Sequence, residues 1–236
     1  MKQQSDGAEI INTDGIEFLG IDRVLKRGSG EIIAETDHAL LVRDNVSEAL
    51  MLGCDDAAAG LALLDRHGGS GCGLLMVSDH AAGLTAFERY GFSEKLECYQ
   101  VAYYGEKPAA DSSLTVRTAD ESDLPVLTET YHLISPEEME KVVRRGSVLL
   151  GYEGDRLVGF IGEHLEGSMG LLYVFPAYRR RGYGTALQTH YIVKTMESGF
   201  VPFGQVEKDN RNSLNLQRKI GMTRSDSLIV WMWRGH

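Results

Sequence analysis

Along the second half of the chain, short apolar runs alternate with stretches whose apolar residues recur at helical spacing. LTVRT opens this half as a short strand, and Thr118 and Asp120 signal a helix in which Pro125 is tolerated early. A second helix is predicted directly after it. There Ser135-Pro136-Glu137-Glu138 has capping-box form, with Ser135 at the cap, proline at the first helical position and Glu138 able to reach back. SVLLGYEG and RLVGFIGEH are joined by a tight Glu-Gly-Asp turn and read as a hairpin, with MGLLYVF as a third strand beside it. After Pro176 the pattern changes to YRRRGYGTALQTHYIVKTMESG, where Ala186, Val193 and Met196 keep helical spacing and Gly199 is the stop. PFGQVE then reads as a buried strand, DNRNSLNLQRKI as a helix ended by Gly221, and SLIVWMW as the final strand.

The first half follows a similar order, and a shift of 130 residues lays AFERYGF over LQRKIGM, Gly91 over Gly221, Asp79 over Asp209 and Tyr103 over Trp233. Further upstream a shift of 124 places Gly60-Leu61-Ala62-Leu63 on Gly184-Thr185-Ala186-Leu187. The segment GEKPAADSS between the halves is polar, small and proline-containing, as linkers are. These patterns predict an α/β (mixed α+β) fold of two half-domains, each a mixed, mostly antiparallel sheet flanked by helices. The expected boundaries are residues 1–106, a linker at 107–113, and residues 114–236.

Composition narrows the function. With 236 residues, 43% hydrophobic and 25% charged, the chain can bury one large core or two small ones. MKQQSDGAEI lacks the apolar run of a signal peptide, and no stretch approaches the ~18 uncharged apolar residues of a membrane helix, so a cytoplasmic protein away from membranes is expected. Cys54, Cys72 and Cys98 are odd in number and lack CxxC spacing, which argues for free core thiols. No histidine spacing suggests a metal, and no Ser or Cys sits in a nucleophile elbow. A formal charge of -10 opposes nucleic acid and suits a cationic or zwitterionic small substrate, although acidity also serves solubility.

The most informative stretch is Arg179-Arg180-Arg181-Gly182-Tyr183-Gly184, after a strand and opening a helix. A helix start leaves backbone N–H groups unpaired and carries partial positive charge, and glycines let the backbone approach a phosphate closely. The dipole contributes only ~0.3–1 kcal/mol in exposed settings, whereas each charge-assisted bond adds ~1.5–3 kcal/mol, so the arginines matter as much as the turn.

Here the sequence resembles the GNAT superfamily of N-acyltransferases, whose signature of Gln or Arg, two residues, Gly, one residue, then Gly or Ala is matched by Arg179, Gly182 and Gly184. The resemblance runs from about Leu114 to Trp233, and VEKDNRNSLNLQRKIGM with the closing WMW is similar to the glycine N-acyltransferase-like branch. It implies acetyl-CoA or another acyl-CoA as co-substrate, with a small-molecule amine as acceptor, in a monomer or homodimer. The pyrophosphate is then expected on Arg179, Arg180, Arg181, Gly182, Tyr183, Gly184 and Thr185. Pantetheine and thioester are expected along the backbone of Leu172, Tyr173 and Val174, with the Leu172 N–H as oxyanion donor. Asn210 and Ser213 match polar positions near the CoA arm, though Asp209, Asn210 and Asn212 are equally ordinary helix caps.

Two positions depart from the pattern. Ser168 stands where the branch places a glutamate on the strand before the signature, and Gln217 stands where many such enzymes place a tyrosine near the leaving thiolate. An amine of pKa ~10.4 loses its proton at pH 7 at a cost of ~4.6 kcal/mol, so a base is useful. Glu166 is the candidate, with Glu163 and His164 as alternatives. The first half has Asp55, Asp56 and three alanines where the cradle would be and no arginine until Arg66, so it reads as a degenerate partner that holds no pyrophosphate. HGGSGCG, residues 67–73, reads as a helix-to-strand loop. A non-catalytic acyl-CoA sensor and a protein-lysine acyltransferase are the rival readings.

Overall fold

The computed structural model describes residues 11–109 and 111–235. The ten residues read above for a signal peptide, and position 110 of the linker, lie outside the described residues. The elements of the first half are α1 (Leu19–Lys26), β1 (Gly30–Thr36), β2 (Ala39–Asp44), β3 (Leu50–Cys54), α2 (Ala57–His67), β4 (Leu74–Val77), α3 (His80–Tyr90) and β5 (Glu94–Ala102). Those of the second are β6 (Thr115–Thr118), α4 (Leu124–Thr130), α5 (Pro136–Arg144), β7 (Val148–Glu153), β8 (Arg156–Glu163), β9 (Met169–Val174), α6 (Tyr183–Glu197), β10 (Phe203–Glu207), α7 (Arg211–Ile220) and β11 (Thr223–Trp233). The fold is mixed α/β, with a large mixed sheet flanked by helices.

Two compact units divide the chain: one runs to Gln100 and takes in Ser225 onward, the other is Val101–Arg224. Sequence order had put the final strand with the second half. Instead Ser225–Trp233 of β11 lies in the first unit, where the strand order is β1-β2-β3-β4-β11-β5. Val230 to Trp233 pair antiparallel with Val77 to Leu74, and the Arg234 guanidinium donates to the carbonyls of Ser70, Tyr90 and Gly91. A strand is placed by its hydrogen-bonding partners, which need not be its sequence neighbours. Strand alternation splits the apolar residues between two cores: Leu41, Leu50, Leu52 and Leu75 pack with α2 and α3, while Leu40, Met51 and Met76 pack with α1.

In the second unit the order is β10-β9-β8-β7-β6. Leu149 and Val158 pack with α6, whereas Val148, Leu150 and Phe160 pack with α4 and α5, so each strand feeds both faces. The Ser135 hydroxyl caps α5 by accepting from Glu138 N–H at 3.1 Å. The Glu138 side chain does not complete a capping box as the sequence suggested; its carboxylate lies 3.7 Å from His164. Asp120 and Asp123 form a reciprocal capping box on the single 3-10 turn ahead of α4.

Candidate functional site

The site begins where two parallel strands separate. β9 and β10 share a single register position, Gly204 opposite Met169, after which their ladder ends while β9 continues to Val174. Gly204 is required at that crossing, since a Cβ there would lie 2.8 Å from the Met169 carbonyl oxygen. On its other edge β9 pairs Tyr173 with Phe160 and Gly170 with Gly162, which leaves Leu171 and Leu172 facing Ile161 alone. One extra residue on one strand is a β-bulge, and Leu171 adopts φ +49° to form it. A leucine held in the left-handed region costs roughly 1–3 kcal/mol and persists where its surroundings enforce it. Leu171 is 1% exposed, locked in the core beneath α4 and α5. The bulge breaks the regular ladder at Leu171 and Leu172.

Beyond β9 the chain makes a 3-10 turn at Pro176–Tyr178 and enters α6 through Arg180 at φ +63° and Gly182 at φ +89°. Gly182 is the N-cap, no side chain caps the helix, and its first turn carries no acidic residue. The leading N–H groups of α6 are thus left for an external acceptor. A Cβ on Gly182 would meet nothing within 4 Å, so the space before the helix is open. Arg179 is exposed but not loose: its Nε donates to Val174 O at 2.9 Å and its guanidinium lies over the Tyr173 ring. Arg181 lies over Tyr178 in the same way. An anion cradle of backbone amides and cations fits a pyrophosphate.

At the opposite end of β9 the turn from β8 gathers ionisable groups. His164 N–H donates to Ser168 O and Gly167 N–H to His164 O, closing the turn with Gly167 at φ +101°. The Ser168 hydroxyl donates to the Glu166 carboxylate, and both side chains are buried. Glu166 lies in the turn rather than on the strand, which starts at Met169; the tight turn, not strand alternation, brings it to Ser168. Arg145 holds the turn from behind, donating to the carbonyls of His164 and Leu165 at 2.8 Å. The His164 ring lies against Gly170, where a Cβ would come within 2.5 Å of Nε2. Burial pushes the His164 pKa down, but the Glu138 carboxylate and the Glu166 charge outweigh it, and the net shift is upward. The charge of Glu163 also acts on Lys194 of α6, opposing the downward shift that burial imposes on that lysine.

Residues 114–222 match the model of the acetyltransferase (GNAT) family. Among solved structures, a Drosophila protein is similar over 97% of this chain and 99% of its own, with TM-score 0.61 and 14% identity. A protein described as an acetyltransferase of the GNAT family from Novosphingobium aromaticivorans is similar over 94% of this chain and 100% of its own (TM-score 0.57, 15% identity). An N-acetyltransferase-like protein from Streptococcus suis is similar over 90% and 93% (TM-score 0.55, 14% identity). At such identities the likeness establishes the fold, and it extends over both units. No curated protein sequence matches.

Within the GNAT-matching segment, other expected site residues have inward partners. The Tyr183 hydroxyl donates to Glu153 and its ring is buried, so only its backbone faces the cradle. Gly184 and Thr185 lie in the first turn of α6. Asn210 caps α7, accepting from Ser213 N–H at 3.1 Å. Gln217 is 8% exposed and exchanges amide hydrogen bonds with Gln188. One residue was missed by sequence reasoning: Glu138, whose carboxylate lies 3.7 Å from His164. The pattern had no signal for this, since the contact joins residues far apart in the sequence.

Among the described residues no group of three His, Cys, Asp or Glu side chains could hold a metal ion, and no helix is long and apolar enough to cross a membrane.

Proposed function

We propose that the chain is an acyl-CoA-dependent N-acyltransferase that moves an acyl group, acetyl in the first instance, to the amine of a small molecule or amino acid by direct attack. The observation that carries this is the conjunction on one strand: β9 bulges at Leu171 and parts from β10, then leads into an uncapped, arginine-flanked helix start. A pantetheine arm would add to the parted edge as an extra strand does, and its pyrophosphate would meet the α6 amides with Arg179 and Arg181. The family match supports transfer from CoA in general.

In this reading Glu166 accepts the amine proton, directly or through a water, and Ser168 fixes its carboxylate by hydrogen bonding. The amine nitrogen bonds the thioester carbon, the carbonyl π pair moves to oxygen against the Leu172 N–H, and on collapse the C–S pair leaves on sulfur. Gln217 is a neutral amide paired with Gln188 and is no acid toward that sulfur, so the thiolate takes its proton from water. The first unit acts as a degenerate half without its own CoA, in a cytoplasmic monomer or homodimer.

The same Gln188–Gln217 pair favours a second reading, a non-catalytic acyl-CoA sensor. Release of free thiol from acetyl-CoA, measured with a panel of amines that includes glycine and other amino acids, separates the two. Turnover supports the enzyme; CoA binding by calorimetry without turnover supports the sensor; neither one sinks both.

A further inference from the structure

One motif of the sequence takes no part in the acyl-CoA site: the glycine-rich HGGSGCG, residues 67–73. It joins α2 to β4, turning at Gly68 in the left-handed region and then through a single 3-10 turn at Gly69–Gly71. Together with the β2–β3 turn it bounds a cleft of about 690 Å³ inside the first unit, within the ~300–1,000 Å³ range of small-molecule sites. Gly71 and Gly73 line this cleft, and a Cβ on either would meet nothing within 4 Å, so the loop backbone is open to close approach. Alternation along β2 sends Asp44 with Val42 to the α1 side, where it is buried and accepts from Arg27, Ser29 and Ser47. Arg43 goes with Leu41 to the α2 side, into the cleft wall. It stands opposite Glu31 in the β1–β2 register, yet among the described residues its guanidinium makes no hydrogen bond or ion pair. Glu48 of the β2–β3 turn lines the same cleft, is exposed, and likewise has no partner among the described residues. Its φ is +62°, a conformation in which glycine or asparagine is less strained, so the turn keeps a carboxylate there against its backbone preference.

We infer that this cleft is a second binding site, for a free α-amino acid, with Arg43 on its carboxylate and Glu48 on its ammonium. The two side chains share one cleft and do not pair with each other, so a zwitterion satisfies both without breaking an existing contact. The planar guanidinium fork matches a carboxylate. The end of α2 lies at the same wall, and a helix C-terminus favours a cation, which strengthens the ammonium side. A polyphosphate or a dicarboxylate would set like charge against Glu48, and a simple amine would leave Arg43 unpaired. The inference does not rest on the acyltransferase reading; it gives the first unit a ligand of its own, in a unit whose α2 start is closed to pyrophosphate.

The test is calorimetry of the full chain without CoA, titrated with each standard L-amino acid, and at least one is expected to bind with Kd below about 1 mM. Its N-acetyl derivative, which loses the ammonium charge, and its amide, which loses the carboxylate, should each bind at least about 10-fold more weakly. Arg43→Gln should weaken the parent amino acid at least about 10-fold and Glu48→Gln roughly 3- to 10-fold, with little change in Tm because both side chains are exposed and unpartnered. Cys72 lines the cleft, whereas Cys54 and Cys98 are buried. Bound amino acid should therefore slow alkylation of Cys72 by iodoacetamide roughly threefold or more, since access sets that rate. The inference is overturned if the wild type binds no amino acid, if the N-acetyl form or the amide binds as tightly as its parent, or if folded Arg43→Gln binds as the wild type does. Binding that leaves the Cys72 rate unmoved puts the ligand elsewhere and overturns it too, whether or not the variants fold. A chain that meets these expectations but releases no thiol from acetyl-CoA loses only the acyltransferase reading; the reverse result removes only this inference.

Discussion

The helices α2 and α6 follow strands in the same order in their two units, yet one start is closed and the other open. At α2 the Asp56 carboxylate accepts from Ala59 N–H at 2.7 Å, so the helix satisfies its own first turn and places negative charge there. At α6 the cap is Gly182, no side chain intervenes, and three arginines precede it. The strands differ likewise. β3 stays parallel to β4 over three register positions and meets β2 in unbroken register over five, whereas β9 slips against β8 and leaves β10 after one. A strand–helix unit therefore becomes a binding edge through three separable devices: removal of the cap, a bulge that parts the strands, and cations at the turn.

The sharpest break in this comparison is chemical, at the Glu166 carboxylate that the Ser168 hydroxyl holds in the turn ahead of β9. Glu166→Gln is expected to lower turnover about 10²-fold or more at neutral pH with CoA affinity little changed. Raising the pH should partly restore the rate, because more of the amine is then already neutral. A variant with wild-type turnover from about pH 6 to 9 would sink Glu166 as the base and leave Glu163, His164 or a water relay.

The cations come next. Removing both exposed arginines in Arg179→Ala/Arg181→Ala should weaken CoA binding by roughly 30- to 100-fold, the lower range for two charge-assisted bonds near solvent. Thermal stability should barely move, because Arg179 contributes one exposed carbonyl bond and a ring contact. Unchanged CoA affinity in the folded double variant would remove the cradle. A smaller effect tests the closed start: Asp56→Ala loses the α2 cap, at a cost of about 1 kcal/mol or a Tm lower by about 2–4 °C. Calorimetric stoichiometry should remain one CoA per chain. A second equivalent would mean that the carboxylate alone had barred the first unit, and that strand separation and arginines are dispensable.

How much of this the sequence disclosed depends on the range of each interaction. Elements set by local rules were legible: the hairpin β7–β8, the arginine-glycine turn before α6, and the Gly221 end of α7 in a left-handed conformation all follow from neighbours in sequence. The bulge was not, because its left-handed residue is Leu171 while the adjacent glycine serves instead to admit the His164 ring. Nor was the unit to which β11 belongs, which pairing across more than 150 residues decides. Local pattern offered Glu138 a capping role, and a contact 26 residues away gave it another. The cluster at the head of β9 draws on such a distant pair, and for that reason Glu138 went unread.

The smallest expected effect concerns that pair. His164 and Glu138 approach to 3.7 Å with about 30% of each side chain exposed, an ion pair too long for a close hydrogen bond. Burial alone would lower the imidazole pKa; the Glu138 contact and the Glu166 charge reverse the sign, so the folded value stands above the unfolded one. A group raised on folding stabilises fully below its unfolded pKa, near 6.5, and loses that contribution as pH rises through the folded value. The stability difference between wild type and Glu138→Gln should therefore be greatest near pH 6 and fade as pH rises through the folded value, and it should stay below about 1 kcal/mol because the pair is partly solvated. Imidazole titration by NMR gives the direct check: the His164 midpoint should lie above that of an ordinary histidine and drop in Glu138→Gln. A midpoint that stays put would show that the two residues merely pack.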